Sequence, residues 1–124
     1  MISTVIFDMD GVIINSEPIH QQIESDMFAG LGLNISDEEH KSFVGTSGMD
    51  MWLQIGTSHH LAKTPEELLI EGRNKYWDAL DSGKVALVEG VMDLIGFFHQ
   101  KQLTLQVASS ATRPTVDKVL EYFD

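Results

Sequence analysis

The chain has 124 residues, 19 acidic against 8 basic side chains, a formal net charge of −11 and no cysteine. That length allows one domain, or one domain with a small insertion; the charge argues against nucleic acid and anionic membrane partners, and the missing cysteine excludes disulfides, thiolate catalysis and Cys-ligated zinc. No apolar run approaches the ~20 residues of a membrane span and the start, Met1-Ile2-Ser3-Thr4, lacks a basic n-region, so the expectation is a soluble cytoplasmic protein.

Residues 4–7 are short, apolar and without alternation, which predicts a buried strand. Asp8-Met9-Asp10-Gly11 follows directly. A strand ending this way puts both carboxylates at its carboxyl edge, where open α/β sheets bind their ligands. Two clustered carboxylates repel each other and attract a hard cation, usually Mg²⁺. One carboxylate could attack phosphorus while the other handles the proton. The bland alternative is a solvated strand-to-helix turn. A calcium loop of the EF-hand type fails, because Gly11 comes too early.

Ser16 can cap a helix with Glu17 and Pro18 in its first turn, and Ile19, Ile23 and Met27 repeat every four residues until Gly30 and Gly32 end it. Ser36 and Glu39 have capping-box spacing for a second short helix. Gly45-Thr46-Ser47-Gly48 reads as a loop, and Met49, Trp52, Leu53 and Ile55 suggest a further helix. Thr64-Pro65-Glu66-Glu67 is the clearest helix start, with a cap, proline at the first helical position and glutamate three residues after the cap. That helix should run to about Leu80 and be closed by Asp81-Ser82-Gly83. Gly90 precedes another helix with Met92, Leu94, Ile95 and Phe98 on its apolar side. A second strand over 103–108 ends in Ser109-Ser110, and a last helix from about Pro114 carries Val116, Val119, Leu120 and Phe123.

Two strands joined through helices favour a parallel α/β arrangement. Residues 15–85 hold several helices and no convincing strand, so an all-helical insertion directly after the acidic loop is expected. The domain boundaries are then 1–14 for the first strand and acidic loop, 15–85 for the helical insertion and 86–124 for the second strand and its motif. Sheets usually have about five strands with protected edges. Only two are visible here, and the chain reads as the front part of a larger fold.

The run Val5-Ile6-Phe7-Asp8-Met9-Asp10-Gly11-Val12-Ile13, with Ser16, Glu17 and His20, resembles the first motif of the haloacid dehalogenase superfamily. The subgroup it is most similar to is the β-phosphoglucomutase-like phosphatases and mutases, which carry a helical cap after this loop. The resemblance continues through Val44-Gly45-Thr46-Ser47-Gly48 and Val88-Glu89-Gly90-Val91 to Leu105-Gln106-Val107-Ala108-Ser109-Ser110-Ala111-Thr112, the family's second motif. It implies a Rossmann-like parallel-sheet core, incomplete here, with an inserted all-helical cap.

The resemblance further implies that Asp8 is the nucleophile, forming an aspartyl-phosphate, and that Asp10 protonates the leaving oxygen and then activates water. Mg²⁺ would sit on the Asp8 carboxylate and the Asp10 main-chain carbonyl. Ser109 would bind phosphate with the Ser110 N–H as helper, a strand-to-helix position that otherwise reads as an ordinary cap. Gly45, Thr46 and Ser47 would face substrate, against the alternative of a plain helix-to-helix turn. Arg73 lies where relatives often place a basic cap residue, although a lone helical arginine is usually a solvated face. His20 reads as structural or at the hinge, His59 and His60 as loop surface, and Trp52, Trp77 and Met49 as cap core.

Two departures bear on function. In the sugar-phosphate mutases of the group an arginine usually follows the cap-loop glycine by three residues, and here Gly48 holds that place. This favours a Mg²⁺-dependent phosphatase of small organic phosphates, of the sugar-phosphate kind, over a phosphomutase. The family's later lysine and later acidic loop are not within these 124 residues, and Lys118 is no substitute, so the 124-residue form is expected to be inactive. From another class, the chain could act as a non-catalytic binding or assembly module, associating with itself through an unpaired sheet edge. The expected partner is otherwise a small phosphorylated metabolite, with no nucleic acid and no membrane.

Overall fold

The computed structural model describes residues 1–123; Asp124 and the side chain of Phe123, expected on the apolar face of the last helix, lie outside the described residues. In chain order the elements are β1 (Thr4–Asp8), β2 (Ile14–Asn15), α1 (Glu17–Gly30), α2 (Asp37–Ser42), α3 (Gly48–Ser58), α4 (Pro65–Asp81), β3 (Ala86–Leu87), α5 (Val91–Gln100), β4 (Thr104–Ala108) and α6 (Arg113–Leu120), closed by a 3₁₀ turn at Glu121–Phe123. The fold class is α/β. Two compact units divide the chain: unit 1 is Met1–His20 with Trp77–Asp124, and unit 2 is Gln21–Tyr76.

Unit 1 is built on β1 and β4, which pair in parallel from Thr4↔Thr104 to Asp8↔Ala108. Parallel pairing follows from the helical crossover between them, since a tight hairpin can only join antiparallel strands. A second ribbon was not legible in the sequence. β2 and β3 pair antiparallel through Ile14↔Leu87 and Asn15↔Ala86, and Val88 N–H donates to the Ile13 carbonyl at 2.9 Å just beyond them. Two residues per strand give no period to read.

The buried residues of unit 1 include Phe7, Met9, Ile13, Ile14, Leu80, Val85, Val91 and Val119. Full burial stabilises such side chains by roughly 1.5–3 kcal/mol each. On α5, Val91 is buried and Ile95 and Phe98 half-buried, an i, i+4, i+7 stripe. Phe98 packs on Phe7 with ring centroids 6.2 Å apart. Met92 and Leu94, expected on that apolar side, flank the stripe and are exposed. Among the described residues β1 and β4 pair only with each other, and Ile6 on β1 is 63% exposed.

Unit 2 is helical, around Met27, Phe28, Phe43, Met51, Trp52, Ile55 and Leu68. Phe28 meets Trp52 edge-on at 5.6 Å, one of the geometries aromatic pairs prefer. The Thr64–Glu67 capping box forms with both of its bonds: Thr64 N–H donates to Glu67 Oε2 at 2.8 Å and Glu67 N–H to Thr64 Oγ1 at 3.2 Å. Ser36 caps α2 through Glu39 N–H at 3.1 Å. Gly72 on α4 comes close to α1: a β-carbon there would lie 3.5 Å from Met27 Sδ. Among the described residues no helix is long and apolar enough to cross a membrane.

Candidate active site

Asp8 is the last residue of β1 and is in register with Ala108, the last residue of β4. Because the strands are parallel and neighbours lie ~4.8 Å apart, the Asp8 backbone and the start of the Ser109-Ser110 segment share one carboxyl edge. Asp8 is exposed, and its Oδ1 accepts a hydrogen bond from Met9 N–H at 2.8 Å.

The loop that follows is wound around one carbonyl. Met9 O accepts from Val12, Ile13 and Ile14 N–H at 3.3, 2.9 and 3.2 Å, while Gly11 N–H donates to Ile14 O at 2.8 Å. Gly11 holds φ +77°, a left-handed conformation that costs glycine no steric strain. Met9, Ile13 and Ile14 are at most 1% exposed, so apolar anchors fix the loop from beneath. Asp8 and Asp10, on either side of Met9, are exposed.

Ser16 Oγ donates to Asp10 Oδ1 at 2.7 Å. The hydroxyl expected to cap α1 thus donates its proton to the acidic loop. The only sequence signal for it is a serine six residues after Asp10. Asp8 and Asp10 carry hard oxygen donors of the type Mg²⁺ takes. Among the described residues no three His, Cys, Asp or Glu side chains are grouped to hold a metal ion, so the pair fits part of a Mg²⁺ shell and not a complete one.

Ser109 is half-buried and its Oγ accepts from Ala111 N–H at 3.1 Å, folding the segment back on itself before α6. Ser110 is exposed. Thr112 takes the cap position of α6 with extended backbone, yet its side chain makes no cap hydrogen bond, and the first turn of α6 carries no acid. Such a turn suits an anion, since the N–H groups and the helix dipole both favour negative charge. An apolar hollow of about 570 Å³ runs from Ser109 along Leu105, Val107, Phe7 and Val116.

The other sequence candidates belong to unit 2. Gly45 holds φ +83°, and Thr46 N–H donates to the Phe43 carbonyl at 2.9 Å, so both are part of the turn between α2 and α3. Ser47 caps α3, accepting from Asp50 N–H at 3.1 Å and donating to Asp50 Oδ2 at 2.9 Å. Arg73 is exposed on α4. A β-carbon at Gly48 would lie 2.7 Å from Leu69 Cδ2, so any side chain there displaces the leucine tip. Trp77, grouped with Trp52 on sequence, lies in unit 1, where its indole N–H donates to Thr115 Oγ1 at 2.8 Å.

The family described as haloacid dehalogenase-like hydrolase matches residues 5–124. Protein CbbY of Rhodobacter capsulatus is 29% identical over 126 residues, covering 96% of this chain and 55% of CbbY. Hexitol phosphatase B of Escherichia coli strain K12 is 27% identical over 130 residues, covering 99% of this chain and 56% of the phosphatase. The crystal structure of a CbbY mutant from Rhodobacter sphaeroides, in complex with xylulose-1,5-bisphosphate, matches with a TM-score of 0.77 at 22% identity. That match covers 98% of this chain and 56% of the CbbY chain, and the likeness is one of fold. The chain spans about half the length of the curated relatives it matches.

Proposed function

This chain belongs to the haloacid dehalogenase-like hydrolase family, and from that premise we propose that its parent protein is a cytoplasmic, Mg²⁺-dependent phosphohydrolase of small organic phosphates, of the sugar-phosphate class. The observation that carries this reading is the register of Asp8 with Ala108, which brings a carboxylate residue and the Ser109 segment to one sheet edge. The names of the relatives, a hexitol phosphatase and a CbbY seen with xylulose-1,5-bisphosphate, support the substrate class.

In this reading an Asp8 carboxylate oxygen attacks phosphorus, the bond from phosphorus to the ester oxygen breaks, and Asp10 gives its proton to that oxygen. Asp10 then takes a proton from water, whose oxygen attacks phosphorus and releases phosphate and free Asp8. The Ser16 bond holds Asp10 Oδ1, which leaves Oδ2 to carry the transferred proton. Ser109 Oγ accepts from Ala111 and keeps its own O–H to donate to a phosphoryl oxygen, with Ser110 N–H beside it. The Asp8 carboxylate and the Asp10 carbonyl would hold Mg²⁺, which when bound neutralises phosphoryl charge. Unit 2 is the cap in this reading, with Gly45, Thr46, Ser47 and Arg73 as its candidate substrate contacts. Gly48 leaves a phosphomutase without the arginine its second phosphate would need. Self-association through the edges of β1 and β4 that are unpaired among the described residues is the remaining partner proposal.

The test is phosphate release from a panel of sugar phosphates by the full-length protein. Mg²⁺-dependent release that Asp8→Asn removes by at least a thousandfold is expected. Turnover unchanged in Asp8→Asn, or isomerised sugar phosphate without net phosphate, overturns the reading.

A further inference from the structure

Trp77 is the first residue of unit 1 on the returning helix α4, and it reaches the second site segment through two threonines. Its indole N–H donates to Thr115 Oγ1 at 2.8 Å, and Thr115 Oγ1 lies 3.1 Å from Thr112 Oγ1. Thr115 is only 7% exposed. The ring is held from one side by Lys118, whose Nζ lies 5.6 Å from the ring centroid and bonds both Asp81 oxygens at 2.9 and 3.0 Å.

Thr112 occupies the cap position of α6, where a threonine hydroxyl normally accepts from the second or third helical N–H. The second helical residue is Pro114, which has no N–H, so Thr115 N–H is the amide that hydroxyl could cap. It does not cap. The Thr112 hydroxyl is engaged with the Thr115 side chain instead, and that side chain is fixed by Trp77.

We propose that Trp77 is a positioning residue for phosphate: through Thr115 it keeps the Thr112 hydroxyl off its own helix, leaving the first-turn N–H groups of α6 for a phosphoryl oxygen beside Ser109. The proposal rests on the reading of Ser109 and Ser110 as the phosphate subsite. An indole N–H only donates, so Thr115 Oγ1 accepts from it, and either threonine hydroxyl can be the donor in the bond between them. Without that donor Thr112 is free to rotate, cap Thr115 N–H and compete with the anion for it.

The test is titration of the ¹⁵N-labelled chain with inorganic phosphate, followed by amide and indole N–H resonances. The chain has two tryptophans, so Trp52 in the core of unit 2 serves as the internal reference. Phosphate is expected to move the amides of 109–115 and the Trp77 indole signal while the Trp52 signal stays. Trp77→Phe and Thr115→Val should weaken phosphate about fivefold, the value of one hydrogen bond, and Thr115→Ser should restore it. If Trp77→Phe does not fold, the Val and Ser variants of Thr115 decide the matter. Phosphate that binds both Trp77→Phe and Thr115→Val as it binds wild type, yet is weakened by Ser109→Ala, overturns the positioning role and leaves the subsite standing. Phosphate that moves no amide of 109–115 overturns both.

Discussion

Ser16 donates to Asp10 Oδ1 at 2.7 Å from a side chain that is 2% exposed, so the candidate acid–base carboxylate is steered by a hydroxyl sealed from water at the start of α1. A carboxylate with one oxygen pinned has one oxygen left for proton transfer. Its orientation is set before any substrate arrives.

Ser16→Ala should therefore leave Asp10 free to rotate. In the full-length protein kcat is expected to fall about tenfold with KM nearly unchanged, because the loss is one of orientation and not of substrate contact. Thermal stability should fall by about 1 kcal/mol, since the removed hydroxyl leaves Asp10 able to reach solvent. A Ser16→Thr variant, which keeps the hydroxyl, should recover most of kcat. Steady-state kinetics on the three proteins checks this.

Alkaline stability should depend on Asp81. Its carboxylate, hydrogen-bonded to Lys118, raises the Lys118 pKa. Burial raises the Tyr122 pKa, with Asp81 adding to it. In both cases the folded chain holds its proton more tightly than the unfolded chain. The stabilisation is present up to the ordinary range near pH 10 and is lost as pH rises through the raised folded values. Melting temperatures from pH 8 to 11.5 should therefore fall less steeply in Asp81→Asn than in wild type. Phenolate absorbance of Asp81→Asn, with Tyr122→Phe as control, should show Tyr122 titrating earlier.

Unit 2 offers a core test. Ile55 is 1% exposed within the cluster around Phe28 and Trp52. Ile55→Ala should cost about 2–5 kcal/mol. Hydrogen exchange should show the loss in amides of 48–58, while the amides of β1 and β4 keep their protection. Equal loss of protection in β1 would mean that the two units unfold as one.

Where the sequence was readable, the signal was local and repeated. Thr64 and Glu67 announce a capping box and make both of its bonds. Val5 to Phe7 and Leu105 to Val107 announce strands and pair in parallel. The misreadings came from side chains with two local options. Ser16 reads as a cap for α1, and its buried hydroxyl also reaches back to the exposed Asp10. Trp77 sits on the same helix as unit 2 residues, and helical periodicity cannot tell where along α4 one core ends and another begins. On α5 the sequence groups Met92, Leu94, Ile95 and Phe98 on one face, but Met92 and Leu94 fall outside the stripe that Val91, Ile95 and Phe98 define.

The two-residue ribbon of β2 and β3 fastens Ile14 to Leu87, so that unit 2, Gln21–Tyr76, is a closed excursion from unit 1. The entropy of closing a loop grows only with the logarithm of its length, about 0.6 kcal/mol for each doubling. Insertions, deletions or replacement within Gln21–Tyr76, which leave Ser16 and Trp77 in place, therefore weigh little on the edge where Asp8 and Ser109 stand. Divergence can run freely through unit 2 while the strand ends keep their register.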